Sequence, residues 1–154
     1  MALNDMQEIR AQLIPVVKDF VQKEVIPKAA QHDEDDTYPT ELVDQMAEIG
    51  LFGMVVPEKY GGMGLDVLTF SMVFEELSKG WMSITGPIGT HSMLAFAISK
   101  YGTDKQKQRW LPDLATGKNR WRQSYPAPFK IGGGGEYHGK GLKSSPVMAD
   151  GRIF

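Results

Sequence analysis

Ile9, Leu13, Val16, Val17, Phe20, Val21 and Val25 recur near every 3.6 residues, so residues 4–31 read as a helix with one apolar face. Asn4 with Gln7 three later is a plausible cap and capping-box pair. Pro15 and Pro27 lie inside this stretch and predict a kinked helix or two shorter ones, ending in the polar run His32 to Thr37. Pro39 suits the first turn of a second helix, with Leu42, Val43, Met46, Ala47 and Ile49 as its stripe and Gly50 as a left-handed stop. Residues 51–65, broken by Pro57, Gly61, Gly62 and Gly64, read as an irregular loop. Asp66 caps a third helix through Lys79, whose inward face is Val67, Phe70, Val73, Phe74 and Leu77, and Gly80 stops it. Ser83 caps a fourth helix to Tyr101, and Gly102 ends it. Thr103 and Gln106 form a capping box for a fifth helix over Trp110, Leu111 and Leu114, closed by Gly117. Short loops and the lack of a strand pair predict an all-α bundle of about five helices.

The pattern ends there. Residues 1–117 carry a formal charge of −7 and residues 118–154 carry +5, which together give the chain's −2. The second stretch is rich in Gly and Pro, with four consecutive glycines at Gly132 to Gly135. Two parts are therefore expected: a helical domain over 1–117 and an irregular, mobile tail over 118–154, because unpatterned Gly-rich chain cannot offset its ordering entropy.

The 154-residue chain has no cysteine, which excludes disulfides, thiol nucleophiles and Cys-ligated metals. Its start lacks the basic-then-apolar order of a signal peptide, and its apolar runs are shorter than a membrane span. A soluble, cytoplasmic protein is the expectation. Net charge near −2 argues against nucleic acid as a partner of the whole chain.

Several strings share one order and spacing. They are Glu24 to Pro27, Tyr38-Pro39-x-Glu41-Leu42, Glu48-Ile49-Gly50-Leu51 and Pro57-Glu58-Lys59-Tyr60-Gly61-Gly62-Met63-Gly64-Leu65. They continue with Glu75-Glu76-Leu77-Ser78, His91, Tyr101-Gly102-Thr103, Gln106-Lys107 and Trp110-Leu111-Pro112-x-Leu114-Ala115-x-Gly117. In this combination the first 117 residues resemble the N-terminal helical domain of the flavin-dependent acyl-CoA dehydrogenases.

That resemblance implies an oxidoreductase of three parts, in which a carboxylate base takes a proton from acyl-CoA while hydride leaves for FAD. Electrons then pass to an electron-transfer flavoprotein, and the enzyme is expected as a homo-oligomer. The family's flavin-binding string, of the form L-T-E-P-x-x-G-S-D, belongs soon after Gly117 and is absent, as is the region of the catalytic carboxylate. The resemblance thus assigns this chain no catalytic, cofactor-binding or metal residue. Read one base out of frame, with third bases chosen to suit, Trp121 to Ile131 can spell G-G-S-L-T-Q-P-H-S-R-S. A truncated or frameshifted dehydrogenase, inactive alone, is the expectation.

The resemblance also implies a substrate pocket lined by Gly86, Ile88, Gly89, Thr90, His91 and Met93, at the start of the fourth helix. Glycine at position 89 would leave the channel floor empty and admit medium, longer or branched acyl chains. Plainer roles compete with these. The Gly86 and Gly89 positions also suit close helix packing, and His91 a hydrogen-bonded core histidine. Glu75 and Glu76 point about 100° apart and read as a solvated helix face. His32 to Asp36 lacks calcium-loop spacing and reads as a polar linker. Gly61 to Gly64 has no preceding strand and reads as a turn, not a phosphate cradle. A small helical interaction module is the alternative function, and flavin absorbance in the purified chain separates the two.

Overall fold

A computed structural model describes residues 3–118, and the tail expected to be mobile lies outside them apart from Lys118. The described residues form six α-helices: α1 (Leu3–Phe20), α2 (Ile26–Glu34), α3 (Thr40–Glu48), α4 (Val67–Gly80), α5 (Thr85–Tyr101) and α6 (Asp104–Ala115). A π-helical turn, Val21–Val25, joins α1 and α2 into one unbroken run, so the helical runs number five, with no strand among the described residues.

Proline explains the π turn. Pro27 has no N–H for the carbonyl four residues back, and its ring crowds that carbonyl. The ladder widens there, and the Ile26 N–H donates to Val21 O, five residues back. Pro15 lies within α1 without ending it. Because α1 already includes Leu3, the backbone of Asn4, expected at the cap, falls inside the helix.

Leu13, Ile14, Val17, Phe20, Val21 and Val25 bury the stripe of this run against Val73 and Leu77 of α4. Gly80 makes that approach possible: a Cβ there would stand 2.6 Å from Val21 Cγ1. It is the last residue of α4 and serves packing more than termination. Val67, expected inside, is 79% exposed, because the buried line of α4 runs through Thr69, Val73 and Leu77 and Val67 lies on another face.

The segment 51–65 is irregular yet central. It contains two short 3-10 turns, Leu51–Gly53 and Glu58–Tyr60, and buries Leu51, Phe52, Met54, Val56 and Leu65. Its backbone folds onto itself, with Met63 N–H donating to Gly53 O at 2.9 Å, Gly64 to Val56 O at 2.8 Å and Leu65 to Met54 O at 2.8 Å. Those glycine-loop N–H groups are consumed by carbonyls, which explains why the loop makes a turn and not an anion cradle. A second, smaller cluster of Val56, Ala95, Leu111, Leu114 and Ala115 seats α6 on α5.

Two of the expected caps form. Asp66 Oδ1 accepts from Thr69 N–H at 2.8 Å, and Thr103 and Gln106 make the full capping box. Ser83 does not cap α5; it lies in a 3-10 turn, Met82–Ile84, and α5 continues from Thr85 without a side-chain cap.

Candidate functional site

The segment Gly86 to Met93 opens α5, and its helical geometry divides it between two faces. Ile88 is fully buried in the main core. His91 is fully buried as well: its Nε2–H donates to Leu114 O at 3.0 Å, and its ring meets Phe52 edge-on at 4.9 Å between centroids. A carbonyl only accepts, so the proton on Nε2 is fixed by this bond. Both side chains face the bundle interior and support the helix from within.

Gly86, Gly89, Thr90 and Met93 occupy the opposite face, at the i, i+3, i+4 and i+7 positions. Gly86 is exposed, Gly89 and Thr90 are half-buried, and Met93 is 69% exposed. Thr90 Oγ1 donates to Gly86 O at 3.1 Å, so its hydroxyl is turned back on the helix and its methyl is left for the surface. The same spacing extends the strip to Phe96, which is 51% exposed and carries Lys100 Nζ 5.5 Å from its ring centre. Sequence reasoning stopped at Met93, although the helical period reaches Phe96.

Phe74 of α4 is the other residue it missed. A Cβ built on Gly89 would lie 3.4 Å from Phe74 Cζ, so the space beside Gly89 is bounded by an aromatic edge. The Phe74 ring is paired with Phe70 at 4.7 Å. No sequence period links α4 to α5, so only the folded hairpin shows this contact.

Charged groups near ordinary reaction chemistry are missing from the strip, and the shifted ones serve the frame. The Asp66 carboxyl is held below its usual range by hydrogen bonds from the Thr69 side chain and N–H, with Arg10 behind them. Lys28, paired with Glu41 and Glu24, is raised, and Glu24 is lowered by Lys28. Glu75 and Glu76, expected to act apart, converge on Lys79 Nζ at 3.0 and 2.8 Å, which raises that lysine. His32 and Asp33 hold Trp81, by ring stacking at 5.7 Å and by the indole N–H to Asp33 Oδ1 at 2.9 Å. Among the described residues no group of three or more His, Asp or Glu is placed to hold a metal ion. Nor is any helix there long and apolar enough to cross a membrane.

The strip from Gly86 to Met93 is therefore apolar in character and carries no acid, base or electrophile of its own. The sequence profile of the acyl-CoA dehydrogenase N-terminal domain matches residues 7–118. The chain belongs to the acyl-CoA dehydrogenase family. It is similar to the mitochondrial short-chain specific acyl-CoA dehydrogenase of Rattus norvegicus, at 39% identity over 115 residues, which cover 73% of this chain and 28% of the rat protein. Its fold matches butyryl-CoA dehydrogenase from Megasphaera elsdenii with a TM-score of 0.68 and 30% identity, over 78% of this chain and 32% of that one. A chain in the structure of the electron transferring flavoprotein of Acidaminococcus fermentans matches at TM-score 0.68 and 33% identity, over 73% and 30%. The chain thus spans less than a third of the length of each of these matched proteins.

The described residues do not fit FAD by themselves. A dinucleotide needs free N–H or cationic groups for two phosphates and a cleft of several hundred Å³. The glycine-loop N–H groups are already used. A hollow of about 340 Å³ between α1 and α4 is lined by Gln7, Arg10, Ala11, Ile14, Pro15 and Met72, and Arg10 is committed to Asp66 at 3.2 Å and Thr69 at 3.1 Å.

Proposed function

We propose that this chain is the helical N-terminal part of an FAD-dependent acyl-CoA dehydrogenase and supplies one wall of its acyl channel. The observation that carries this reading is the outward strip of Gly86, Gly89, Thr90 and Met93, small or flexible residues at one helical face, on a chain of this family. A wall of that kind binds and orients an apolar chain and excludes water; proton and hydride chemistry belong to groups outside it. FAD, acyl-CoA and an electron-transfer flavoprotein are the cofactor and partners of the intact enzyme, which we take to be a homo-oligomer. Residues 1–117 form the domain, and 118–154 lie beyond it. Ile88 and His91 stiffen the wall from behind. The lack of cysteine fits a reducing compartment such as the cytoplasm.

The test joins residues 1–117 to the remainder of the Megasphaera elsdenii butyryl-CoA dehydrogenase and compares this chimera with the 154-residue chain. The chimera is expected to bind flavin and oxidise an acyl-CoA, while the chain alone stays colourless and inactive. Flavin binding or turnover by the chain alone would overturn the second half of the proposal. A soluble, helical chimera that neither binds flavin nor reacts would leave the interaction module as the better reading.

A further inference from the structure

Glycine at position 89 leaves room only if nothing from elsewhere fills it. At Gly86 an added Cβ would find no atom within 4 Å, but at Gly89 it would meet Phe74 Cζ at 3.4 Å and Cε1 at 3.6 Å. These are ordinary contact distances for an added methyl, so the ring edge closes the space beside Gly89 about one methyl away from the backbone of α5. Phe74 is half-buried and is braced by Phe70, whose ring centre is 4.7 Å away at an angle of 34°. Both belong to α4, whose Val73 and Leu77 are locked in the core, so the ring cannot drift with the surface.

We infer that Phe74, and not the residue at position 89, sets the depth of the apolar strip and makes it a wall for short acyl chains. The inference rests on the strip being an acyl wall. A chain laid along α5 from Met93 toward Gly86 meets the Phe74 edge at Gly89. Past that point an added Cβ on Gly86 meets no atom within 4 Å, so no described residue beyond the ring holds further methylenes. Each methylene that does find burial strengthens binding about fourfold, and those beyond the ring forgo that gain. This reverses the expectation that glycine at position 89 opens the floor to longer chains.

The experiment uses the full 154-residue chain, labelled at methionine methyls and backbone amides, titrated with butanoate and octanoate and followed by NMR. Both probes are expected to shift the Met93 methyl, and neither the Gly86 amide. In Phe74→Ala, octanoate is expected to shift Gly86 as well and to gain roughly tenfold over butanoate, from the two or so methylenes that settle where the ring stood. Phe74→Leu, which keeps an apolar side chain in the core, is expected to move in the same direction by less and guards against a variant that fails to fold. Octanoate reaching Gly86 in the unaltered chain would overturn the inference. So would an unchanged octanoate preference in both variants while Met93 still responds. If Met93 answers to neither probe, the acyl-wall reading itself falls, and the inference with it.

Discussion

His91 donates from Nε2 to the carbonyl oxygen of Leu114 at 3.0 Å, joining α5 to the last turn of α6. Leu114 O also accepts from Gly117 N–H at 3.1 Å, so one oxygen gathers the helix end, the exit of the chain and a buried side chain. Both lone pairs of a carbonyl that α6 itself cannot satisfy are thereby used.

Replacing His91 with Ala is expected to cost about 2–4 kcal/mol, from the cavity beside Phe52 and the loss of a buried hydrogen bond. Urea denaturation monitored by circular dichroism checks it. A midpoint unchanged from the unaltered chain would mean that the ring is not holding the two helices.

Two adjacent glycines should respond very differently to the same change. A Cβ on Gly62 would collide with the backbone carbonyl of Val56, which cannot step aside. Gly61 has φ +86° with nothing within 4 Å of an added Cβ, so its only penalty is the left-handed backbone. Gly62→Ala is expected to lose about 3 kcal/mol or more, and Gly61→Ala about 1 kcal/mol. The order of their urea midpoints is the test.

Ser92 is 3% exposed, and its hydroxyl oxygen is buried without a hydrogen-bond partner among the described residues. Removing an unsatisfied buried group restores its desolvation cost. Ser92→Ala is therefore expected to stabilise the chain by about 1 kcal/mol, read as a higher midpoint with an unchanged slope against urea.

Asp66 supplies an acid-sensitive contribution. Its folded pKa is lowered, chiefly by the Thr69 side chain and N–H and then by Arg10. Such a group contributes stability above its unfolded pKa, about 3.9, and loses it as pH falls through the lower folded value. Melting temperatures of the unaltered chain and of Asp66→Asn are expected to differ at pH 7 and to converge toward pH 2. A constant gap across that range would show that ionisation of Asp66 is not the cause.

The helices were legible wherever one element carried its own signal. The 3.6-residue stripe of Leu13 to Val25, the Asp66 cap and the Thr103–Gln106 box need only neighbours in sequence. The family was legible too, because its motifs are turn glycines and helix caps in a fixed order. The features that escaped depend on distant partners. Residues 51–65 read as a loop, yet Phe52, Met54 and Val56 are wholly buried, because burial there comes from three helices closing over them. Val67 fits the apolar pattern of its helix, yet the buried line runs through Thr69, Val73 and Leu77, and Val67 faces water. Of the six candidate pocket residues, the period alone puts Gly86, Gly89, Thr90 and Met93 on one face and turns Ile88 and His91 inward. The Phe74 edge that bounds them comes from another helix and leaves no trace in the local pattern.

Gly117 has φ +67°, and an added Cβ would stand 3.1 Å from both Ala47 Cβ and the Phe52 ring. The last turn before Lys118 is thus fastened to the middle of the bundle, and its heading is set by residues far earlier in the chain. A side chain at position 117 would press on α3 and on the Phe52 ring at once, so the direction in which the chain leaves α6 is written into residues 47 and 52.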